Sequence, residues 1–326
     1  MRPTPPSRRS LISLAGMPLL PRPAVAQRSE TFPSRPVRLV VAFGAGGNSD
    51  TMARLIQPRM SAALGQSIVI DNRGGAGGTL AAGQVAGAPA DGHTLLFDAA
   101  SFLIAQFIHR DTPFNYVRDF APVGLVAVAP YVIAGSAASG IRDLRGLLSA
   151  ARERNGLAYG TPGVGTTGHL AGALLARRAG VRLEHAPYRG GAEVARDLAA
   201  GALAVGIITV NSIKPVVEGG RAVAIAITSG RRGGMEGVPT VAEQGFPGFD
   251  QTSWNAVFCR AGTPEAIRLR LAEALDAATS DPEVKTRFAQ MGAEATPAEP
   301  AKLAERLTQE RAELEQLIRD IGLTFG

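Results

Sequence analysis

The feature that most constrains this chain is a recurring unit: an apolar run, a cluster of glycines, then a helix pattern. Val37–Phe43 is a continuous apolar run rich in β-branched residues. Such a run suits a strand buried on both faces of a parallel sheet. It ends in Gly44-Ala45-Gly46-Gly47-Asn48-Ser49-Asp50, after which Met52, Leu55, Ile56, Met60 and Leu64 fall at helical spacing. Gly65 stands where a helix C-cap belongs. Ser67–Asp71 predicts a second strand, Gly74-Gly75-Ala76-Gly77-Gly78 a second glycine turn, Thr79–Gly87 a small-residue helix and His93–Asp98 a third strand. The order β-α-β-α-β predicts an α/β domain with a largely parallel sheet.

The unit then returns with different residues. Helices are predicted over Arg142–Arg154, Gly163–Ala179, Ala192–Ala200 and Ile213–Glu218, and strands over Leu157–Gly160, Leu183–Ala186, Ala204–Thr209 and Ala222–Thr228. A third glycine turn, Thr161-Pro162-Gly163-Val164-Gly165-Thr166-Thr167-Gly168-His169, opens the second of these helices. The C-terminal part reads as helices over Ala266–Ala278, Pro282–Met291 and Pro297–Ile321, the last with a stripe of Leu303, Leu307, Leu314 and Leu317. An α/β unit placed inside another requires two chain crossings, for which Val123–Gly135 and Thr252–Ala261 are the extended, apolar candidates. The expected organisation is one lobe from residues 27–129 and 252–326, a second from 130–251, and a cleft between them.

The 326 residues carry 34 Lys+Arg against 28 Asp+Glu, a formal +6. Four of those arginines, Arg2, Arg8, Arg9 and Arg22, lie in residues 1–26, which contain no acid. The short apolar stretch Leu11–Leu20 and the small-x-small pattern Ala24-Val25-Ala26 complete a signal peptide with cleavage before Gln27. Ser7-Arg8-Arg9-Ser10-Leu11-Ile12 also resembles a twin-arginine export signal, a match that Pro18 weakens. The expected location is the periplasm. Without the four arginines the basic count is 30 against 28 acids, a surplus of +2. That surplus removes the main support for nucleic-acid binding. The single cysteine, Cys259, excludes an intrachain disulfide and any multi-cysteine metal site.

Glycine-rich turns at strand-to-helix junctions suit anions. Backbone N–H groups can approach a ligand with no Cβ in the way, and a helix N-terminus adds about half a positive charge. In open parallel sheets ligands sit at the carboxyl ends of the strands, where these turns lie. A small dicarboxylate gripped at each end by one lobe fits that arrangement. Alone, each turn also reads as a plain tight turn. Gly44-x-Gly46-Gly47 falls short of a dinucleotide fingerprint because Ser49 occupies the third glycine's position, and no Walker lysine follows any of the turns. His93, His109, His169 and His185 have no metal-ligand spacing, and His169 reads first as structural or capping. Ser49 and Ser101 lack a nucleophile elbow. Cys259 reads as a buried small hydrophobe, and Trp254 either as core and hinge packing or as cleft lining. No catalytic residue, cofactor or metal is expected, and an α/β enzyme is the weaker alternative.

Five stretches together resemble the extracytoplasmic solute receptors of tripartite tricarboxylate transporters, the Bug-type receptors. They are Pro36–Phe43 with Gly46-Gly47-x-x-Asp50; Asp71–Gly78; Asp119–Val123; Tyr159–Gly163 through Thr167-x-His169-Leu170 to Pro187-Tyr188-Arg189-Gly190; and Val238–Glu243 with Gly248-Phe249 and Thr252-Ser253-Trp254. The likeness runs from about Phe32 to Gly322. It implies a two-lobed periplasmic-binding fold of Venus-flytrap type 2, each lobe a mixed, mostly parallel sheet flanked by helices. It implies capture of a small organic acid and delivery to membrane transporter subunits by a monomeric receptor. A ligand-sensing partner of a membrane signalling protein is the alternative. Carried over by position, the ligand residues would be Phe43, Gly46, Gly47, Asp50, Gly77 and Gly78, with Ser101 after the third strand, and Gly163, Thr166, Thr167 and His169. The chain departs from the family pattern at Ala42, at Arg189 and in Thr209-Val210-Asn211-Ser212, a stretch that often reads the distal end of the ligand and here lacks an acid.

Overall fold

The computed structural model describes residues 32–108 and 111–321. The expected export segment with its cleavage point at Ala26, and His109, lie outside them. The first part of the chain builds β1 (Val37–Val41), α1 (Asn48–Leu64), β2 (Ile68–Asn72), α2 (Thr79–Ala86), β3 (Thr94–Ala99) and α3 (Ser101–Ile108). β1 lies between β2 and β3, parallel to both. α1 is capped by Gly47, which is extended, and stops at Gly65, whose left-handed conformation returns its N–H to Ser61 and Ala62. Its buried face, Met52, Ile56, Met60 and Leu64, repeats every fourth residue and packs on the sheet.

β4 (Phe120–Ser136) then runs for 17 residues. The next elements are α4 (Leu144–Glu153), β5 (Leu157–Thr161), α5 (Thr167–Ala179), β6 (Leu183–Pro187), α6 (Gly191–Ala200), β7 (Val205–Thr209), α7 (Val210–Glu218) and β8 (Ala222–Ile227). β5 pairs in parallel with β6 and β7, a second copy of the arrangement around β1. The chain returns through β9 (Thr252–Arg260) and ends in α8 (Glu265–Ser280), α9 (Pro282–Gln290), β10 (Glu294–Ala295) and α10 (Pro300–Ile321).

β4 joins the two halves. From Phe120 to Pro130 it pairs antiparallel with β9, which also pairs antiparallel with β3. From Tyr131 to Gly135 it pairs with β7, and from Val132 to Ser136 with β8. The hand-over falls between Pro130, opposite Thr252, and Tyr131, opposite Thr209. A proline at this point has no N–H for the ladder. Each half has an apolar core on both faces of its strands. α10 contributes to both halves, Leu303 and Leu314 to the first and Leu317 to the second.

Two helices differ most from the sequence reading. The helix expected from Gly163 begins at Thr167, because Gly163 and Gly165 take positive φ (155° and 73°) and Thr166 is the N-cap, its hydroxyl accepting the His169 N–H. α3 was not anticipated. Its sequence Ser-Phe-Leu-Ile-Ala-Gln-Phe-Ile has no polar face and so no period to detect, and Ser101–Ala105 are buried. Among the described residues, no helix is long and apolar enough to cross a membrane.

Candidate ligand site

The carboxyl ends of the parallel strands in both halves face one another. The Gly44 N–H donates to the Arg189 carbonyl across the junction (3.3 Å), and a Cβ added to Gly77 would lie 2.3 Å from the Val164 carbonyl oxygen. Two surfaces this close enclose a cavity of about 20 Å³, the space of one water.

Its first wall is Phe43 with Gly47, Asn48 and Ser49 at the start of α1, and Ala99 at the end of β3. Its opposite wall is Pro162, Gly191 at the start of α6, and Thr209 and Ser212 at the start of α7. Tyr131 of β4 and Ser253 of β9 complete it. Three helix N-termini therefore point at one small space. Gly191 is required there, since a Cβ would sit 2.7 Å from the Ser212 hydroxyl. Thr209 and Ser212 share a hydrogen bond at 3.1 Å. Among the described residues, five hydroxyls line the cavity and no Asp, Glu, Lys or Arg does. Its polarity comes from N–H and O–H groups and helix dipoles, a set that stabilises negative charge.

Of the residues expected at the site, Phe43 and Gly47 line this cavity. Gly46 and Asp50 shape the loop beneath it: the Gly46 N–H donates to Asp50 Oδ2 (2.8 Å), and Arg54 binds the same carboxylate (3.0 Å). Burial pushes the Asp50 carboxyl up, but its hydrogen bonds to Arg54 and Gly46 outweigh this and hold it below the usual carboxylate range. Gly77 and Gly163 meet at the junction itself and line an open cavity of about 730 Å³, together with Val164, Tyr188 and Arg189. Gly78 and Ser101 sit against Asp98, with the Ser101 hydroxyl donating to Asp98 Oδ1 (3.0 Å).

In the second half the loop residues bond to one another. The Thr166 hydroxyl donates to the Gly163 carbonyl (2.9 Å), and the Gly165 N–H donates to His169 Nδ1 (3.2 Å). The His169 ring stacks on His185 at 3.8 Å. Burial lowers the His169 pKa to about 4 and that of His185 to about 3, the latter helped by its neighbour. His169 is thus neutral at pH 7, with its ring held within the turn. Thr167 lies in a separate cavity beside α10. Trp254 is fully buried, and its Nε1–H donates to Glu310 of α10 (2.7 Å), which places it in the core and not along the cavity. Cys259 is buried, and burial raises its thiol pKa.

Sequence reasoning passed over Asn48, Ser49, Gly191, Tyr131 and Ser253, which line this cavity. Gly190-Gly191 and Thr209 stand at strand-to-helix junctions, and that position was the available signal. A cavity of about 780 Å³ lies elsewhere, lined by Arg231, Arg232, Lys285 and Glu294. Its basic groups are partly neutralised by the ion pairs Arg231–Glu294 (3.1 Å) and Arg232–Glu243 (2.8 Å), and none of the glycine turns reaches it. Among the described residues, no group of three or more His, Cys, Asp or Glu side chains is placed to hold a metal.

A model of the tripartite tricarboxylate transporter family receptor matches residues 52–323. A protein of Pseudomonas sp. (strain P51), described as the UPF0065 protein in the tcbD-tcbE intergenic region, is 38% identical over 319 residues, 97% of this chain and 95% of that one. An R. palustris protein solved with adipate superposes with a TM-score of 0.85 at 34% identity, covering 89% of this chain and 98% of that one. MatC from Rhodopseudomonas palustris, solved with bound malate, gives 0.83 at 31% identity, over 88% and 100%. The chain belongs to the tripartite tricarboxylate transporter receptor family, whose members are two-lobed periplasmic solute-binding proteins and not enzymes.

Proposed function

We propose that this protein captures a small carboxylate between its two lobes and delivers it to a tripartite tricarboxylate-type membrane transporter. The lobes are residues 27–129 with 252–326, and residues 130–251. The export segment is removed near Ala26, and the receptor works in the periplasm as a monomer. The observation that carries this reading is the convergence of three helix N-termini and five hydroxyls on a cavity with no charged side chain among its described lining residues. Such a site binds an anion through donors fixed in advance. Phe43, Gly47, Ser49, Gly191, Thr209 and Ser212 contact the ligand, while Gly46, Asp50, Gly78, Ser101, Thr166 and His169 shape the loops around it. A cavity of about 20 Å³ is smaller than any dicarboxylate, so the walls part to admit one and settle around it. The similar proteins solved with adipate and malate point to the same ligand class.

Calorimetric titration of the purified protein with malate, succinate, glutarate and adipate tests this. At least one should bind at micromolar or tighter Kd, roughly 8 kcal/mol. Gly47→Asp keeps a good helix N-cap but places a like charge in the cavity, so binding should fall by more than about 100-fold. Failure of every carboxylate to bind, or full affinity in Gly47→Asp, would refute the reading. Delivery is tested separately, by loss of uptake of the bound acid when the receptor is deleted.

A further inference from the structure

Asn255 lies on β9, 1% exposed, directly behind the start of α1. Its side-chain amide makes three contacts. Nδ2 donates to the Ser49 hydroxyl oxygen (2.9 Å) and, at longer range, to the Asp98 backbone carbonyl (3.4 Å). Oδ1 accepts from Asn48 Nδ2 (2.9 Å). The backbone carbonyl settles the orientation, because it can only accept: turning the amide over would set two acceptors against each other. Asn255 Nδ2 therefore faces Ser49. The Ser49 oxygen is committed as an acceptor on that side, and its single proton has to point elsewhere. Ser49 is 3% exposed and lines the cavity, and no acceptor for its proton is present among the described residues.

We propose that Asn255 is a positioning residue that sets the direction of the Ser49 hydroxyl, leaving its proton to be donated into the cavity. This inference rests on the reading of that cavity as the ligand site. It goes further by assigning a source of specificity. A wall whose hydroxyl proton is kept free for the cavity suits a carboxylate oxygen, whereas an ammonium would have to share an oxygen that already accepts from Asn255. The donor is held in place before the ligand arrives, so binding loses nothing to reorienting it.

The test is a double-mutant cycle read by calorimetry with the tightest of malate, succinate, glutarate and adipate. In the wild-type background, Ser49→Ala removes a hydrogen bond to a charged group and should weaken binding by about 10-fold or more. Asn255→Asp is isosteric but offers Ser49 an acceptor, so the hydroxyl proton turns away from the ligand. In that background Ser49→Ala should cost almost nothing further. A ten-fold cost of Ser49→Ala in both backgrounds overturns the proposal while leaving the cavity as the ligand site. If Ser49→Ala binds as well as the wild type, or if no diacid binds the wild type, the cavity reading itself falls. Circular dichroism melting identifies any variant that fails to fold. Should Asn255→Asp fail to fold, Asn255→Ala takes its place: it frees the hydroxyl to rotate, and Ser49→Ala should then cost less than in the wild type, an equal cost overturning the proposal.

Discussion

Asp98 has the least water-like surroundings of any acid described. It is fully buried; Oδ1 accepts the Ala99 N–H (2.7 Å) and the Ser101 hydroxyl, and Oδ2 has no hydrogen-bond partner among the described residues. Burial drives its pKa up to about 7 against the pull of those two hydrogen bonds. An ordinary aspartate ionises near pH 4. Between those values the folded protein binds a proton that the unfolded chain has released, so stability falls as pH rises from about 4 to about 7 and is level beyond. Asp98→Asn keeps an acceptor for both donors and removes the charge. It should melt above the parent at pH 8, with the gap closing near pH 4; a gap independent of pH would show that Asp98 does not titrate in this way. The sequence placed this residue at a strand end but gave no sign of its burial. Gly78 and α3, which cover it, come from separate segments, and α3 had no period to read. Asn255 was hidden for a related reason: it faces Ser49 only because β9 returns beside β3 after the whole of the second half.

At the scale of elements, the turn from β5 into α5 holds the stacked pair His169 and His185. The Thr161 hydroxyl lies 2.6 Å from His185 Nε2 and donates to the Gly163 carbonyl, while His169 Nδ1 accepts from Gly165. A proton on that Nδ1 would break the turn. Both rings stay neutral until about pH 4 or below, whereas unfolded histidine takes a proton near 6.5. Their contribution to stability is complete above about 6.5 and is lost as pH falls toward 4, opposite in sign to that of Asp98 over the same interval. His185→Gln can still donate to Thr161, and it should reduce the drop in urea-unfolding free energy between pH 6.5 and 4.5. An unchanged drop would assign acid sensitivity elsewhere. The strand-to-helix turns were legible because glycine clusters after β-branched runs have few other uses. The starts of α6 and α7 also reach the cavity, yet Thr209 and Ser212 do so with hydroxyls and no glycine cluster. Tyr131 and Ser253 come from antiparallel strands far apart in sequence, so no local pattern could join them.

Across the whole molecule, the approach of the two walls depends on bare backbone. Gly77 has φ +61° and sits against the Val164 carbonyl. Gly77→Ala is strained by its conformation and obstructed by that oxygen, so it penalises the approach more than it penalises either half alone. The binding-competent fraction falls and the apparent Kd rises in proportion. We expect about a ten-fold weaker affinity for the bound diacid and a larger radius of gyration by small-angle scattering. Unchanged scattering and affinity would mean that this contact does not limit closure. The interleaved chain has a further effect, on the order of folding. β3 finds its antiparallel neighbour only in β9, with Leu95 opposite Cys259. Until residues 252–260 have been synthesised, the first half keeps an open sheet edge and an incomplete core, so it cannot fold ahead of the second half as an independent N-terminal domain would. The long loop that this pairing must close places the molecule among the slower-folding topologies, and the part of the chain made first is among the last to be finished.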